Sequence, residues 1–172
     1  MHKHPSALGV ATTLTPAAPV TLIRPQAAAR AARFFVEKFP GRSLYAVKAN
    51  PSPDLLRTLW DNGISHFDVA SIAEVRLVAE TLPDAKLCFM HPVKAEEAIA
   101  EAYAVHGVRT FSLDTIDELV TLLDYAEAGD GWGVHLSSTK ADAQALGAYQ
   151  ATSGEWLLPI LDRDSIAIEV IE

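Results

Sequence analysis

Apolar segments recur along this chain at nearly constant intervals. They end at Val47, Val69, Met90, Leu113 and Leu136, and the successive spacings are 22, 21, 23 and 23 residues. Each interval holds turn residues and then a helical pattern, so it has the length of a strand, a loop, a helix and a return loop. The spacing predicts a βα repeat with parallel strands. Both an open doubly wound sheet and a (β/α) barrel satisfy this repeat.

Capping residues mark where the predicted helices begin. Three sets follow predicted strands: Ser52-Pro53-Asp54, Ser71-Ile72-Ala73-Glu74 and Thr115-Ile116-Asp117-Glu118. The first offers a hydroxyl cap, a proline at the first helical position and an acid in the first turn. The other two have the spacing of capping boxes. Upstream, Pro25 is expected to open an alanine-rich helix that stops at Pro40-Gly41.

The composition narrows the function classes. With 14 basic and 22 acidic residues the 172-residue chain has a formal charge of -8, and its basic residues do not cluster, so nucleic acid is not an expected partner. There is no apolar run of about 18 residues, so no membrane-spanning helix is expected. His2 and His4 have no further ligands at metal-binding spacing, and no metal site is predicted. The single cysteine, Cys88, lies in an apolar run and predicts a buried thiol in a reducing, cytoplasmic setting.

The first predicted strand ends on a charged amine. Lys48 follows the apolar run that closes at Val47, and the next residues are not the glycine-rich fingerprint of a dinucleotide-binding fold. Reactive groups of βα proteins collect at the carboxyl ends of the strands. A lysine that is partly desolvated there has a lowered pKa, and its neutral amine can form an imine with a carbonyl cofactor or substrate.

Other strand ends contribute further polar groups. These are Asp68, Ser71, His91 and Asp114. A simpler interpretation is also open: Lys48 could be the first solvated residue of a loop, and the capping boxes account for Ser71 and Glu74. Asp68 is different, because an acid inside an apolar stretch needs a partner.

Three segments of the chain resemble, in the same order, the N-terminal barrel of the fold-type III decarboxylases, which use pyridoxal phosphate. They are "YAVKANPSPDLLRTL" (45–59), "FDVASIAEVRLV" (67–78) and "HPVKAEEAIAEAYAVHGVRTFSLDTIDEL" (91–119). Alanine racemases share the lysine motif but continue with Tyr-Gly-His-Gly, where this chain has Pro51-Ser52-Pro53. "FDVAS" and "HPVK" look more like the ornithine branch than the diaminopimelate branch. The resemblance covers roughly residues 20–136.

The resemblance implies a partial (β/α) TIM-type barrel of the alanine racemase-like type, with about five or six of the eight βα units. It implies that Lys48 is the catalytic residue and holds the cofactor, pyridoxal 5'-phosphate, as an imine. By the same resemblance Asp68 lies close to that imine, Ala46 lines the cofactor ring, and His135 stands where the family carries an arginine. Asn50, Ser71 and Lys94 are expected to be structural or peripheral.

The implied function is decarboxylation of a basic amino acid, most closely ornithine to putrescine in polyamine biosynthesis, by a homodimer. Lysine or a carboxylated polyamine are alternative substrates. The family's ring-stacking histidine, phosphate-binding glycine loop and pyridine-binding glutamate come from later strands and have no counterpart here, so activity of this chain alone is left open.

The domain organisation is expected to have three parts. Residues 1–19 form a flexible arm, residues 20–136 form the N-terminal portion of the cofactor-binding barrel, and residues 137–172 form a divergent or truncated tail. Two alternatives to an active enzyme are open: an inactive relative that binds a full-length decarboxylase, and a frameshifted gene fragment.

Overall fold

A computed structural model describes residues 6–113, 116–125, 133–136, 144, 149–153, 156–160 and 163–168. The helices are α1 (Ala7–Leu14), α2 (Pro25–Lys38), α3 (Pro53–Trp60), α4 (Ile72–Thr81), α5 (Glu96–Ala104) and α6 (Ile116–Tyr125), with a 3₁₀ turn at Val47–Ala49. The strands are β1 (Leu44–Ala46), β2 (His66–Val69), β3 (Lys86–Phe89), β4 (Thr110–Leu113), β5 (Gly133–Leu136), β6 (Tyr149–Gln150), β7 (Trp156–Ile160) and β8 (Arg163–Ile168). The predicted alternation of strand and helix is confirmed from β1 to β5.

The order of the strands decides between the two architectures that the spacing allowed. The strands β1 to β5 form one parallel sheet in which each strand lies beside its sequence neighbour, in the order β1-β2-β3-β4-β5. A doubly wound sheet reverses its strand order at a switch point, whereas a barrel adds each strand to the same side of the previous one. The sheet is therefore an arc of a (β/α) barrel. A separate antiparallel sheet, β6-β7-β8, contacts it through β5 and β8.

Alternation along β2 separates the two faces of the arc. Phe67 and Val69 are completely buried, whereas Asp68 between them is only partly buried. The buried pair belongs to one core that also contains apolar residues of the helices, among them Leu56 of α3 and Val75 of α4. Because successive side chains of a strand point to opposite faces, Asp68 lies on the face away from these helices. We call this the inner face.

The boundaries of α2 agree with the sequence signals at both ends. Pro25 occupies the first turn and the helix ends at Lys38, two residues before Pro40, so this prediction is confirmed. The segment that was expected to be a flexible arm contains α1, which Ser6 caps by accepting a hydrogen bond from the Gly9 N–H. Flexibility of residues 1–19 and the other domain boundaries stay predictions. Over the described ranges, none of the helices combines the length and the apolar character that a membrane crossing needs.

The hydroxyl cap predicted at Ser52 is wrong. Ser52 is the N-cap residue of α3, but its side chain accepts no capping hydrogen bond. Its own N–H donates instead to Asn50 Oδ1 at 3.0 Å, so the preceding asparagine orders this turn. The proline in the first turn, Pro53, and the acid there, Asp54, are confirmed.

The capping box predicted at Ser71 is confirmed with one difference. Ser71 Oγ accepts from the Glu74 N–H at 3.3 Å, as expected. Glu74 Oε2 accepts from the N–H of Ala70 at 2.8 Å, one residue before the position that a standard capping box engages. The third predicted box falls on Thr115, which lies outside the described residues.

Candidate active site

Lys48 lies just beyond β1, in the 3₁₀ turn that carries the chain towards α3. The turn is held by the Asn50 N–H, which donates to the Val47 carbonyl at 3.1 Å, and by the Tyr45 hydroxyl, which donates to the Asn50 carbonyl at 3.2 Å. The side chain of Lys48 is exposed, and none of the described residues engages its Nζ in a hydrogen bond or ion pair. The structure therefore presents an exposed primary amine at the carboxyl end of the strand.

The expectation that Lys48 is partly desolvated is wrong for the part of the chain that the structure describes. In that part β1 has one neighbouring strand, β2, and its other side is the edge of the arc. Side chains from both sides of its strand are needed to shield a barrel lysine from water. In the described arc only β2 flanks β1, so Lys48 is exposed.

Asp68 has the environment that the sequence predicted for it. It pairs in register with Ala46 of β1, two residues before Lys48, and it lies on the inner face. Burial raises the pKa of its carboxyl group, the positive charge of Lys48 opposes that rise, and the negative charge of Glu74 adds to it. Lys48 and Asp68 are thus close enough for their charges to interact.

The remaining predicted cofactor residues are Ala46 and His135. Ala46 is partly buried beside Asp68, so its small side chain lies on the face and at the level predicted for it. The backbone of His135 pairs with Ser112 across β4 and β5, while its side chain lies outside the described part of the structure. Asp114 lies outside the described residues. The cofactor roles of Lys48, Ala46, Asp68 and His135 stay predictions.

The loop after β3 is built from two residues that the sequence placed near the site. His91 is exposed, and its Nδ1 accepts the N–H of Val93 at 3.0 Å, which closes a turn around Pro92. Lys94 is structural, as predicted: its side chain is 1% exposed and its Nζ donates to backbone carbonyls and to Glu118. This loop is therefore fixed by polar contacts within itself and with β4 and α6.

Sequence reasoning missed part of the inner face. Asp68, Cys88 and Thr110 lie in one cross-strand row, because β2, β3 and β4 pair at these residues. Burial raises the pKa of the Cys88 thiol, a hydrogen bond with Thr110 lowers it, and the charge of Asp68 raises it. The row could have been found by aligning the predicted strands on their spacing. The closeness of Glu74 to Asp68 depends on a side-chain conformation that no spacing rule specifies.

One cleft among the described residues lies elsewhere. It has a volume of about 510 Å³ and is lined by the end of α2 with the two connections that lead into β1 and β2, at Val36, Phe39–Ser43 and Gly63–Ser65. These connections precede the strands, whereas Lys48 follows β1. We place the candidate site at Lys48, because catalytic groups of (β/α) barrels lie at the carboxyl ends of the strands. The described residues contain no cluster of three side chains suited to hold a metal ion.

The structure is therefore an arc of a (β/α) barrel that carries a primary amine just beyond its first strand and a carboxylate on the neighbouring strand. The family described as "Pyridoxal-dependent decarboxylase, pyridoxal binding domain" matches residues 26–156, and the chain belongs to this family.

Individual relatives agree with this assignment. The chain is 40% identical to an ornithine decarboxylase of Panagrellus redivivus over 78 residues, which are 45% of this chain and 18% of that protein. It is 40% identical to a lysine/ornithine decarboxylase of Selenomonas ruminantium over 76 residues, 44% of this chain and 19% of that protein. The solved structure of a Vibrio vulnificus lysine/ornithine decarboxylase complexed with putrescine is 30% identical, with a TM-score of 0.62, and the match covers 78% of this chain and 38% of that one.

The extent of these matches defines what the chain contains. It spans less than a fifth of the curated relatives and less than two fifths of the solved structure. The fold is accordingly a partial barrel of the alanine racemase-like type, and its family consists of pyridoxal-dependent decarboxylases of the ornithine and lysine kind.

The described residues fit the family's cofactor, pyridoxal phosphate, at its reactive end. An aldehyde requires a primary amine, and among the described residues none holds Lys48 Nζ in an ion pair. The carboxylate of Asp68 is partly buried, and its charge interacts with that of Lys48.

Proposed function

We propose that the protein decarboxylates ornithine to putrescine, with Lys48 as the residue that holds pyridoxal phosphate. The observation that carries this proposal is the exposed amine of Lys48 within charge range of Asp68, in a chain whose family match spans both residues. Ornithine is supported by the names of the two curated relatives and by the "FDVAS" motif at residues 67–71.

In this proposal the residues of the chain orient groups and move protons. Bound pyridoxal phosphate supplies an electron-withdrawing ring that stabilises the charge left when carbon dioxide departs. The amine of Lys48 would hold the cofactor, and when it is not attached to the cofactor it could carry a proton. Asp68 would place a negative charge within range of the Lys48 nitrogen. Ala46 leaves space beside this pair because its side chain is a single methyl group.

We also propose the setting in which this activity takes place. The protein would act as a homodimer in the cytoplasm, on a free basic amino acid. A reducing compartment is supported by Cys88, which is buried and forms no disulfide. The homodimer is proposed from the family resemblance alone.

The assignment of Lys48 can be tested directly with pyridoxal phosphate. The purified chain is mixed with the cofactor, treated with borohydride to trap any covalent attachment, digested and analysed by mass spectrometry. We expect the trapped cofactor on Lys48, its loss in Lys48→Ala, and its retention in Lys86→Ala. Lys86 is a matched control because it is another exposed lysine of the same sheet, at the start of β3. Equal labelling of both lysines, or labelling that survives in Lys48→Ala, would contradict the proposal.

The substrate is tested on the full-length protein by carbon dioxide release. Ornithine, lysine and carboxylated polyamines are supplied separately at matched concentrations, and kcat/KM is compared. We expect the highest value for ornithine. A higher value for lysine would leave the family assignment intact and overturn the choice of ornithine.

A further inference from the structure

The first turn of α4 brings a second carboxylate to the carboxyl end of β2. Glu74 is partly buried, and its side chain folds back so that Oε2 accepts the Ala70 N–H at 2.8 Å. Its backbone N–H is fixed at the same time by Ser71 Oγ at 3.3 Å. A carboxylate held through both its side chain and its backbone has a defined position, which is what an electrostatic role requires.

That position is next to Asp68. Ala70 directly follows β2 and is two residues beyond Asp68, so the Glu74 oxygen that accepts the Ala70 N–H lies near the end of the strand that carries Asp68. The charge of Glu74 interacts with that of Asp68. On the other side of Asp68, β1 pairs in register at Ala46 and leads to Lys48.

We propose that Glu74 is a positioning residue for the site, and that it acts on Lys48 through Asp68. This inference rests on the proposed role of Lys48. Glu74 fixes the turn that follows Asp68, and it places near Asp68 a negative charge whose effect is opposite to that of Lys48. Helix capping alone would explain the contacts of Glu74 with the backbone, but it assigns no function to its charge.

The groups that face Asp68 come from three elements. They are Lys48 after β1, Glu74 of α4 and the thiol of Cys88 on β3. Burial is the main cause of the raised pKa of Asp68; the charge of Lys48 acts against it and that of Glu74 acts with it. Removing the charge of Glu74 while keeping the fold should therefore lower the pKa of Asp68.

Two variants separate the charge of Glu74 from its capping role. Glu74→Gln keeps an oxygen that can accept the Ala70 N–H but has no charge. Ser71→Ala removes the capping oxygen and leaves the charge of Glu74 in place. Circular dichroism and thermal unfolding establish that both variants fold before any titration is compared.

The first measurement needs no cofactor. The carboxyl ¹³C resonance of Asp68 is followed by NMR as a function of pH in the parent chain and in both variants, with Asp68→Asn used for assignment. We expect the titration midpoint to move to lower pH in Glu74→Gln and to stay at the parent value in Ser71→Ala. A midpoint that is unchanged in Glu74→Gln, or that moves equally in both variants, would overturn the inference.

The second measurement connects the titration to Lys48. The borohydride-trapped fraction of pyridoxal phosphate on Lys48 is measured across the acidic pH range. The trapped fraction should fall as the pH is lowered, and we call this fall the acid limb. We expect the acid limb to move to lower pH in Glu74→Gln and not in Ser71→Ala. If the parent chain traps no cofactor at Lys48, the proposed function fails, while the NMR midpoints still decide the role of Glu74. If the parent traps cofactor and the limb of Glu74→Gln does not move, the role of Glu74 is refuted.

Discussion

Replacement of Lys94 by methionine should destabilise the chain strongly, because Lys94 is a buried cation with a complete set of partners. Its Nζ donates to the Ser112 carbonyl at 2.5 Å, to the His91 carbonyl at 2.8 Å and to Glu118 Oε2 at 3.4 Å. An ammonium group has three N–H donors, so each can be used. These contacts join the loop after β3 to the end of β4 and to α6.

The expected cost follows from what Lys94→Met would leave behind. Two carbonyl groups would lose a donor, and the carboxylate of Glu118, whose side chain is 12% exposed, would lose its counter-charge. Removal of one partner from a buried ion pair typically costs about 3–5 kcal/mol, because the remaining charge is uncompensated. For a chain of this size that loss lowers the midpoint of thermal unfolding by roughly 6–20 °C.

Urea denaturation of the parent and of Lys94→Met, followed by circular dichroism, measures this cost. Arg57→Met is a matched control: Arg57 lies 3.8 Å from Asp54, but the two side chains are 56% and 62% exposed, so the change should stay within about 0.5 kcal/mol.

A double variant tests whether the uncompensated charge of Glu118 causes the loss of stability in Lys94→Met. In the parent chain Glu118 Oε1 accepts the backbone N–H of Lys94 at 2.6 Å. In Lys94→Met/Glu118→Gln the amide oxygen at position 118 can still accept this N–H, and neither side chain carries an uncompensated charge. We expect the double variant to recover at least about 1 kcal/mol of the loss. The reasoning is refuted if Lys94→Met costs no more than Arg57→Met, or if the double variant is no more stable than the single one.

Two further predictions concern other parts of the chain. Gly63→Ala should destabilise the fold by about 1–3 kcal/mol, because Gly63 has a φ of +98° and an added Cβ would lie 3.3 Å from Val36. The control Gly107→Ala should cost less, because Gly107 has a φ of +65° but an added Cβ would meet no atom within 4 Å. An equal cost of the two variants in urea denaturation would exclude the Val36 contact as the cause. The hydrogen bonds from Arg76 lower the pKa of Glu101, so this pair stabilises the fold above the unfolded-state pKa of about 4.3 and loses that contribution as pH falls through the lower folded-state value. Arg76→Gln should therefore lose more stability at neutral pH than in acid, and an equal loss at both would contradict the linkage.

The spacing of the apolar runs predicted which segments form strands and helices, but it could not predict their order in the sheet, which only the family resemblance implied. Each apolar run and each cap is encoded within a few residues, and the spacing of the runs reflects one strand and one helix. Strand order depends on which faces the helices cover, and both architectures use the same local pattern. The pairing of β1 with β2 and of β4 with β5 supplied the missing information.

The two serine caps show how local competition limits such predictions. Ser52 and Ser71 both precede helices and both have the residue type of a cap. Ser71 is extended, with a φ of -153°, and its hydroxyl accepts the Glu74 N–H. Ser52 has a φ of -58° and follows Asn50, which orders the turn through the Ser52 N–H. The residue type of the N-cap was therefore predictable at both helices. Whether the Ser52 hydroxyl caps its helix depended on Asn50, two residues before it.

The candidate site shows the same limit at longer range. The position of Lys48 follows from a short apolar run, and the need of Asp68 for a partner follows from the cost of burying an acid. Both could therefore be predicted from local sequence. The environment of Lys48 could not, because it is assembled from strands and helices that are distant along the chain. Register pairing brings Asp68 within charge range of Lys48, and the fold of one side chain brings Glu74 beside Asp68. A lysine motif therefore identifies the amine, whereas the two carboxylates to which we assign its proton chemistry are placed near it only by the tertiary structure.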